Sequence, residues 1–258
     1  MVKRNFFYSF FSILILLFIG CNFPDVLKFG HKNGPEGGLK VAVVGDYYGN
    51  ELATFLSSRG LAVDNFPLDP ASVQTITANL SKYGIILFGD DLSRTEAITL
   101  FDAADAAGVD ILGIGTEDNG TPLGSILTWE GRFGLNYAYD YDCSEMHVDV
   151  TTDGQGHPIF TGINTTTTVY FENYFGEADE QAYYVNLSDP NAPPDWTVLA
   201  NLGSGMCLSG DPAIVEFTTP NGTIVILDGS ANTYDGYAYW TQERWDVLYN
   251  EVVYLFEN

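Results

Sequence analysis

Short apolar runs alternate with amphipathic segments through the first half of the chain, and this alternation limits the possible folds more than any other feature. Leu39–Gly45 (LKVAVVG) is a nearly continuous apolar run bounded by glycines, which is typical of a strand buried on both faces. Asn50–Arg59 then carries apolar residues at helical spacing and is followed by Gly60, a common helix stop. A strand followed at once by a helix is the unit from which parallel sheets are built.

The same alternation continues as far as residue 114. Asp69 and Pro70 pair a helix cap with a first-turn proline, and the segment from Ser93 to Glu96 forms a capping box that opens another helix. Further strands are predicted at Ala62–Phe66, Gly84–Gly89 and Asp110–Ile114. This spacing predicts an α/β fold, a flavodoxin-like or Rossmann-like three-layer sandwich with a parallel central sheet.

The second half of the chain has a different pattern and predicts a β-rich elaboration of that sandwich. Residues 135–226 are rich in Tyr, Thr, Gly and Asn. The candidate strands are His147–Thr151, Thr168–Tyr174, Ala182–Leu187, Thr197–Leu202 and Ala213–Thr218. Asn221 and Gly222 indicate a hairpin turn before another strand, Thr223–Asp228. A closing helix is predicted from Gln242, with its large apolar residues on one stripe.

The first residues of the chain have the pattern of a secretory signal. Lys3 and Arg4 precede an apolar run from Phe6 to Ile19, which would span only about 21 Å as a helix, less than the roughly 30 Å of a bilayer core. The end of the run, FIGC, resembles a bacterial lipobox, which implies that Cys21 is lipidated and becomes the mature N-terminus. The alternative is an uncleaved N-terminal anchor. Either places the body of the protein outside the cytoplasm, in a bacterial cell envelope.

These patterns divide the chain into three parts. Residues 1–20 are predicted to be the signal peptide, and residues 21–38 to be the lipidated cysteine with a Pro- and Gly-containing tether. Residues 39–258 form the folded α/β domain.

The formal net charge of −24 excludes some partners. Binding to nucleic acid needs a basic surface, and so does broad adhesion to anionic lipid. We therefore expect no nucleic-acid partner, and membrane attachment only through the lipid on Cys21. The remaining cysteines, Cys143 and Cys207, could form a disulfide in an oxidising compartment, but the sequence does not give their separation, so this stays open.

Polar residues follow several of the predicted parallel strands, where ligands bind in doubly wound sheets. The candidate ligand-binding residues are Asp46, Tyr47, Asp90, Asp91, Thr116, Glu117, Asp228 and Ser230. Their carboxylates could hold Ca²⁺ or Mg²⁺, although the same residue types are ordinary turn and cap residues. Neither G-x-G-x-x-G nor a P-loop lysine follows the first strand, so no nucleotide cofactor is expected, and a divalent cation is the one cofactor left open.

The segment Val109–Gly120 (VDILGIGTEDNG) resembles the nucleophile-elbow strand of class I glutamine amidotransferase-like domains, including their ThuA-like relatives. Other segments that resemble this superfamily are Val41–Gly49, Tyr83–Gly89, Gly156–Gly162, Gly222–Asp228 and Trp240–Leu255, so that the resemblance spans about residues 39–256. It implies a catalytic cysteine at the elbow and a histidine with its partner acid after the closing strand. Gly115 stands at the cysteine position, and Gly229-Ser230-Ala231 follows the closing strand without a histidine. Glutaminase chemistry is therefore not expected.

Two further features of the β-rich half have both a functional and a structural interpretation. Its aromatic residues are Tyr137, Tyr139, Tyr141, Tyr170, Phe171, Tyr174, Phe175, Tyr183 and Tyr184. They could stack on sugar rings, or they could be ordinary half-buried sheet residues. His157 could be a functional imidazole, but we favour a structural turn residue before Pro158.

Three functional hypotheses follow from these observations. The leading one is a non-catalytic, lipid-anchored extracytoplasmic domain that binds a ligand, with carbohydrate as a candidate, or that acts with an envelope protein in assembly. The alternative is a carboxylate- or metal-dependent hydrolase of carbohydrate or a related polymer, which would use rim residues such as Asp90 and Glu117. The third is a purely structural envelope protein whose acidic surface keeps it soluble.

Overall fold

A nine-stranded mixed sheet forms the centre of the fold. The computed structural model describes residues 39–45, 50–89, 95–114, 135–139, 147–172, 181–185, 195–204, 209–230 and 237–258, with the backbone alone for 135–139 and 181–185. The strands are β1 (Lys40–Val44), β2 (Val63–Phe66), β3 (Tyr83–Phe88), β4 (Asp110–Ile114), β5 (Leu135–Tyr139), β6 (His147–Val150), β7 (Val169–Tyr170), β8 (Gln181–Val185), β9 (Thr197–Leu202), β10 (Pro212–Thr218) and β11 (Ile224–Asp228). The large sheet has the order β2-β1-β3-β4-β11-β10-β9-β6-β7, while β5 and β8 form a separate antiparallel pair.

The parallel part of the sheet has a helix layer on each face. The helices are α1 (Glu51–Ser58), α2 (Pro70–Thr77), α3 (Thr95–Ala107) and α4 (Gln242–Glu257). Apolar residues of α1 and α4 pack on one face, and those of α2 and α3 on the other. The five strands β2, β1, β3, β4 and β11 are parallel to one another. The predicted three-layer α/β sandwich is therefore confirmed.

Local sequence signals set several of the element boundaries. Asp69 Oδ1 accepts a hydrogen bond of 2.7 Å from the backbone N–H of Ser72, and Pro70 occupies the first turn of α2, as its cap pattern predicts. Gly222 has a φ of 89°, which suits glycine, and it lies in the turn that joins β10 to β11. The hairpin predicted from Asn221-Gly222 is confirmed.

The antiparallel strands β10, β9, β6 and β7 extend the sheet beyond β11. The strand predicted at Thr168–Tyr174 is shorter among the described residues, where β7 contains Val169 and Tyr170 alone. The reason is a change of partner: the hydroxyl of Thr241 donates to the carbonyl oxygen of Tyr170 at 2.7 Å, and its backbone N–H donates to that of Phe171 at 2.8 Å. The chain thus leaves β6 and contacts the start of α4.

Within the described ranges, no helix has both the length and the apolar character needed to cross a bilayer. The predicted signal and tether, residues 1–38, lie outside these ranges, and so do Cys143 and Cys207. The lipidation of Cys21 and the disulfide therefore stay predictions.

Candidate functional site

The parallel strands end at one edge of the sheet, where the sequence places its candidate ligand-binding residues. Two of these, Asp228 at the end of β11 and Ser230 just beyond it, belong to the described residues. The others, which are Asp46, Tyr47, Asp90, Asp91, Thr116 and Glu117, lie outside them, as does Gly115. The ligand-binding role of this set stays a prediction.

Asp228 and Ser230 form a local turn. The backbone N–H of Ser230 donates to Asp228 Oδ1 at 2.9 Å, and the Ser230 hydroxyl donates to the same oxygen. Both residues are buried. An aspartate that accepts from the residue two positions on is a common turn motif, so these contacts fit the structural interpretation of this pair.

The second carboxylate oxygen of Asp228 contacts a buried arginine from α4. Asp228 Oδ2 lies 3.1 Å from Arg244 Nη2, and Arg244 Nη1 lies 3.7 Å from Glu251 Oε2. Alternation along β11 places Asp228 on the same face as Ile226, which packs towards α4. The side chains of all three charged residues are fully buried. We call Asp228, Arg244 and Glu251 the buried charge cluster.

Aromatic rings cover the guanidinium of this cluster. Its central carbon lies 4.5 Å from the ring centroid of Trp240 and 5.5 Å from that of Phe171. A desolvated guanidinium over aromatic faces gains roughly 2 kcal/mol, which offsets part of the cost of its burial.

Hydrogen bonding within the buried charge cluster is incomplete. All three guanidinium nitrogens of Arg244, both carboxyl oxygens of Glu251 and Oδ2 of Asp228 have no hydrogen-bond partner in the described part of the chain. Burial raises the pKa of Glu251 well above its ordinary value, and the nearby charge of Asp228 raises it further. The protonated form of Glu251 is therefore favoured over the charged form in the folded protein.

A second polar group lies further along α4, and we call it the His157 cluster. His157 Nδ1 accepts from the backbone N–H of Ile159 at 3.4 Å, and its Nε2 lies 3.3 Å from Glu216 Oε2. The Tyr254 hydroxyl donates to Glu216 Oε1 at 3.2 Å, and its ring lies 4.7 Å from the imidazole. Both ring nitrogens of His157 therefore face protein groups. This agrees with the structural role predicted for it.

A cleft of about 480 Å³ opens between residues 163–170 and the first turn of α4. It adjoins the sheet edge at which β11 ends, because β7 runs parallel to β11 and Tyr170 is its last residue. Tyr170 lines the cleft and is 46% exposed, whereas its neighbour Phe171 is buried. Of the aromatic residues proposed from the sequence to stack on sugars, Tyr170 and Phe171 have described side chains, and of these two a ligand can reach Tyr170.

Sequence reasoning missed Arg244 and Glu251. A signal was present, because residues 244, 248, 251 and 255 follow helical spacing along one stripe of α4. Two of these positions are Leu and two are charged. Charged residues on an apolar stripe indicate a buried pair that needs a partner from another element.

Metal binding has no clear basis in the described residues, since no three His, Cys, Asp or Glu side chains there lie close enough together to bind an ion.

The parallel core with its antiparallel extension defines a class I glutamine amidotransferase-like fold. The structure is similar to that of a ThuA-like protein from Bacteroides uniformis, with a TM-score of 0.56 and 14% identity over 84% of this chain and 91% of that one. It is also similar to the mmIFT52 N-terminal domain, with a TM-score of 0.52 and 12% identity over 85% and 98% of the two chains. At these identities the similarity shows the fold alone. No protein-family model matches the sequence, and no curated protein does.

Proposed function

We propose that this protein is a non-catalytic, lipid-anchored extracytoplasmic domain that binds a ligand, with carbohydrate as the ligand class. The observation that carries the proposal is the buried charge cluster at the end of β11. The resemblance noted in the sequence implies a histidine and an acid just beyond this strand. The acid that ends the strand, Asp228, is instead buried and paired with Arg244.

A catalytic triad needs a nucleophile and a base that substrate can reach. Among the described histidines, His157 contacts Glu216, and His147 lies on β6, which β10 and β9 separate from β11. Neither stands where the base would act. The glycine at position 115, which has no side chain to serve as a nucleophile, supports the same conclusion.

The catalytic part of the proposal is tested by measuring glutaminase, esterase and peptidase turnover with the full chain in detergent. We expect no turnover above the rate of a heat-unfolded sample. Turnover that disappears in Cys143→Ser or Cys207→Ser would overturn the proposal in favour of a relocated thiol nucleophile. Turnover that disappears in Glu117→Gln or Asp90→Asn, with unchanged stability, would instead favour the hydrolase that uses rim carboxylates.

The anchoring part is tested by metabolic labelling with an alkyne-tagged fatty acid and by membrane fractionation. We expect the full chain to carry the label and to fractionate with membranes, and Cys21→Ser to lose the label. A Cys21→Ser chain that stays unprocessed in the membrane is expected if signal cleavage depends on lipidation. An unlabelled native chain with its first twenty residues still attached would show an uncleaved anchor instead.

A further inference from the structure

We propose that the cleft beside the first turn of α4 binds a neutral polyhydroxylated ligand, a short saccharide. This inference rests on the proposed function, because it gives the binding role a location. The volume of about 480 Å³ lies within the roughly 300–1,000 Å³ that small-molecule sites occupy. The rigidity of the cleft, the polar groups in it and the exposed ring of Tyr170 each favour such a ligand.

Hydrogen bonds hold both sides of the cleft in place. On one side, the Thr168 hydroxyl donates to Asp149 Oδ1 at 2.8 Å. On the other, the Thr241 hydroxyl donates to the carbonyl oxygen of Tyr170 at 2.7 Å and accepts from the backbone N–H of Arg244 at 3.2 Å. Because the start of α4 is tied to β7 in this way, a ligand meets a preformed cleft and little ordering cost opposes binding.

The polar side chains in the cleft suit hydroxyl groups. Thr167 and Glu243 line it and are exposed, and the amide nitrogen of Gln242 already donates to Asp246 at 3.0 Å, which leaves its oxygen as an acceptor. A hydroxyl can donate and accept, whereas an amide oxygen and a carboxylate only accept. Sugar hydroxyls also do both, so they can bond to each of these groups.

The same lining disfavours other ligand classes. No Lys, Arg or His is among the described residues that line the cleft, and Glu243 adds a negative charge, so an anion would be repelled. A single carboxylate is a poor match for a polycation with several ammonium groups. A purely apolar ligand would leave the polar groups of the lining without partners.

Tyr170 supplies the surface on which a sugar ring can pack. Its ring lies 5.3 Å from that of His147, which supports one side and leaves the side chain 46% exposed. The C–H face of a sugar ring packs against such an aromatic face, while its hydroxyls reach the polar groups around it.

The test is isothermal titration of the full chain with maltotriose, cellotriose and chitotriose, with spermidine and inorganic phosphate as charged probes. We expect at least one trisaccharide to bind and neither charged probe to do so. Tyr170→Ala should weaken binding about tenfold, and Tyr170→Phe about twofold or less, because it keeps the ring. Glu243→Gln should weaken binding about threefold or more. Tyr239→Ala is the matched control, since Tyr239 is 41% exposed and does not line the cleft.

Several outcomes would overturn the inference. They are the absence of binding by all three trisaccharides, binding of spermidine or phosphate in their place, or saccharide binding that is unchanged in both Tyr170→Ala and Glu243→Gln. Glu243 is exposed, so Glu243→Gln should fold and can test the inference even if Tyr170→Ala does not fold. If the protein shows glutaminase, esterase or peptidase turnover but still binds saccharide in the cleft, the non-catalytic proposal is wrong and this inference stands. If the protein shows no turnover and no saccharide binding in the cleft, this inference is wrong and the non-catalytic proposal stands.

Discussion

The buried charge cluster and the His157 cluster both contain residues of α4, and they accommodate polar groups in different ways. The side chains of Arg244 and Asp228 are fully buried, and the guanidinium has no hydrogen bond in the described part of the chain. In the His157 cluster, the side chains of His157 and Glu216 are 14% and 19% exposed, and Tyr254 donates to Glu216. Solvent reaches part of the second cluster, although Glu216 Oε2 is itself buried without a hydrogen-bond partner among the described residues. It does not reach the charged side chains of the first cluster, which are fully buried.

This difference indicates which cluster tolerates change. A partly exposed pair has solvent as an alternative partner, so removing one member costs little more than the lost contact. A fully buried charge has only its neighbours, so removing one member leaves an uncompensated charge. The buried charge cluster should therefore be sensitive to substitution, and the His157 cluster should be more tolerant.

The largest expected effect comes from Arg244→Met. This change keeps much of the side-chain volume but leaves Asp228 without its counter-charge, and it should lower the free energy of unfolding by about 3–5 kcal/mol. Urea unfolding at neutral pH measures this. Arg59→Met is the matched control. Arg59 pairs at 2.7 Å with Asp246, which lies on α4 like Arg244, but this pair is exposed. Its loss should lower the free energy of unfolding by about 1 kcal/mol or less. Equal losses for both variants would remove the contrast between buried and exposed charge.

His157→Ala should have an intermediate effect. It removes the ring contact with Tyr254 and the acceptor for the backbone N–H of Ile159, which together are worth about 1–2 kcal/mol. The measurement is the same urea series. A loss as large as that of Arg244→Met would mean that the His157 cluster is as intolerant as the buried one.

Glu251→Gln should change how stability depends on pH. The pKa of Glu251 is raised in the folded protein, so its stabilising contribution is present below the unfolded pKa of 4.5 and is lost as pH rises through the folded value. The neutral amide does not titrate, so the variant should become more stable relative to the native chain as pH rises above 4.5, for example from about pH 5 to about pH 8. Thermal melts at both pH values test this, with Glu243→Gln as the exposed control on the same helix. A parallel pH dependence in native and variant chains would contradict it.

The smallest expected effect is that of Tyr254→Phe. It removes one partly exposed hydrogen bond to Glu216 and should cost about 0.5–1 kcal/mol near neutral pH. Burial raises the pKa of Tyr254 from 10.0 to about 12, so the native chain should lose stability as pH rises from 10.0 towards that value, and the variant should lose less. Tyr83 provides the reference, because burial also raises its pKa to about 12. Tyr83→Phe should likewise reduce the loss of stability as pH rises above 10.0. If Tyr254→Phe loses as much stability at alkaline pH as the native chain, the Tyr254 hydroxyl does not contribute to this pH dependence.

Local patterns predicted much of the fold because their causes are local. The cap at Asp69 and the turn at Gly222 act on the residues next to them, and the periodicity of each strand and helix is a property of a short segment. The partner of β7 and the order of the antiparallel strands depend on contacts between residues far apart in the chain. The shortened strand at Val169–Tyr170 illustrates this, because Thr241 decides where it ends.

The candidate site was less predictable than the fold. The sequence placed Asp228 and Ser230 at the correct edge of the sheet. The charged residues on the apolar stripe of α4 indicated a buried pair, but they did not identify Asp228 as the partner of Arg244. The sequence also marked Tyr170 only as one aromatic residue among many. Exposure separates Tyr170 from Phe171, and exposure depends on what packs against each side chain.

By itself, the sequence determined the α/β class, the parallel direction of the strands in its first half and the acidic net charge. That charge disfavours binding to nucleic acid. These properties follow from side-chain period, turn chemistry and charge, which each segment carries wherever it lies. Only the tertiary structure decided that a guanidinium from the last helix would neutralise the acid at the end of β11, and that residues 163–170 would form a cleft with the first turn of that helix. The physical reason is that burial and pairing belong to elements distant in the chain, and their value is set only when those elements meet.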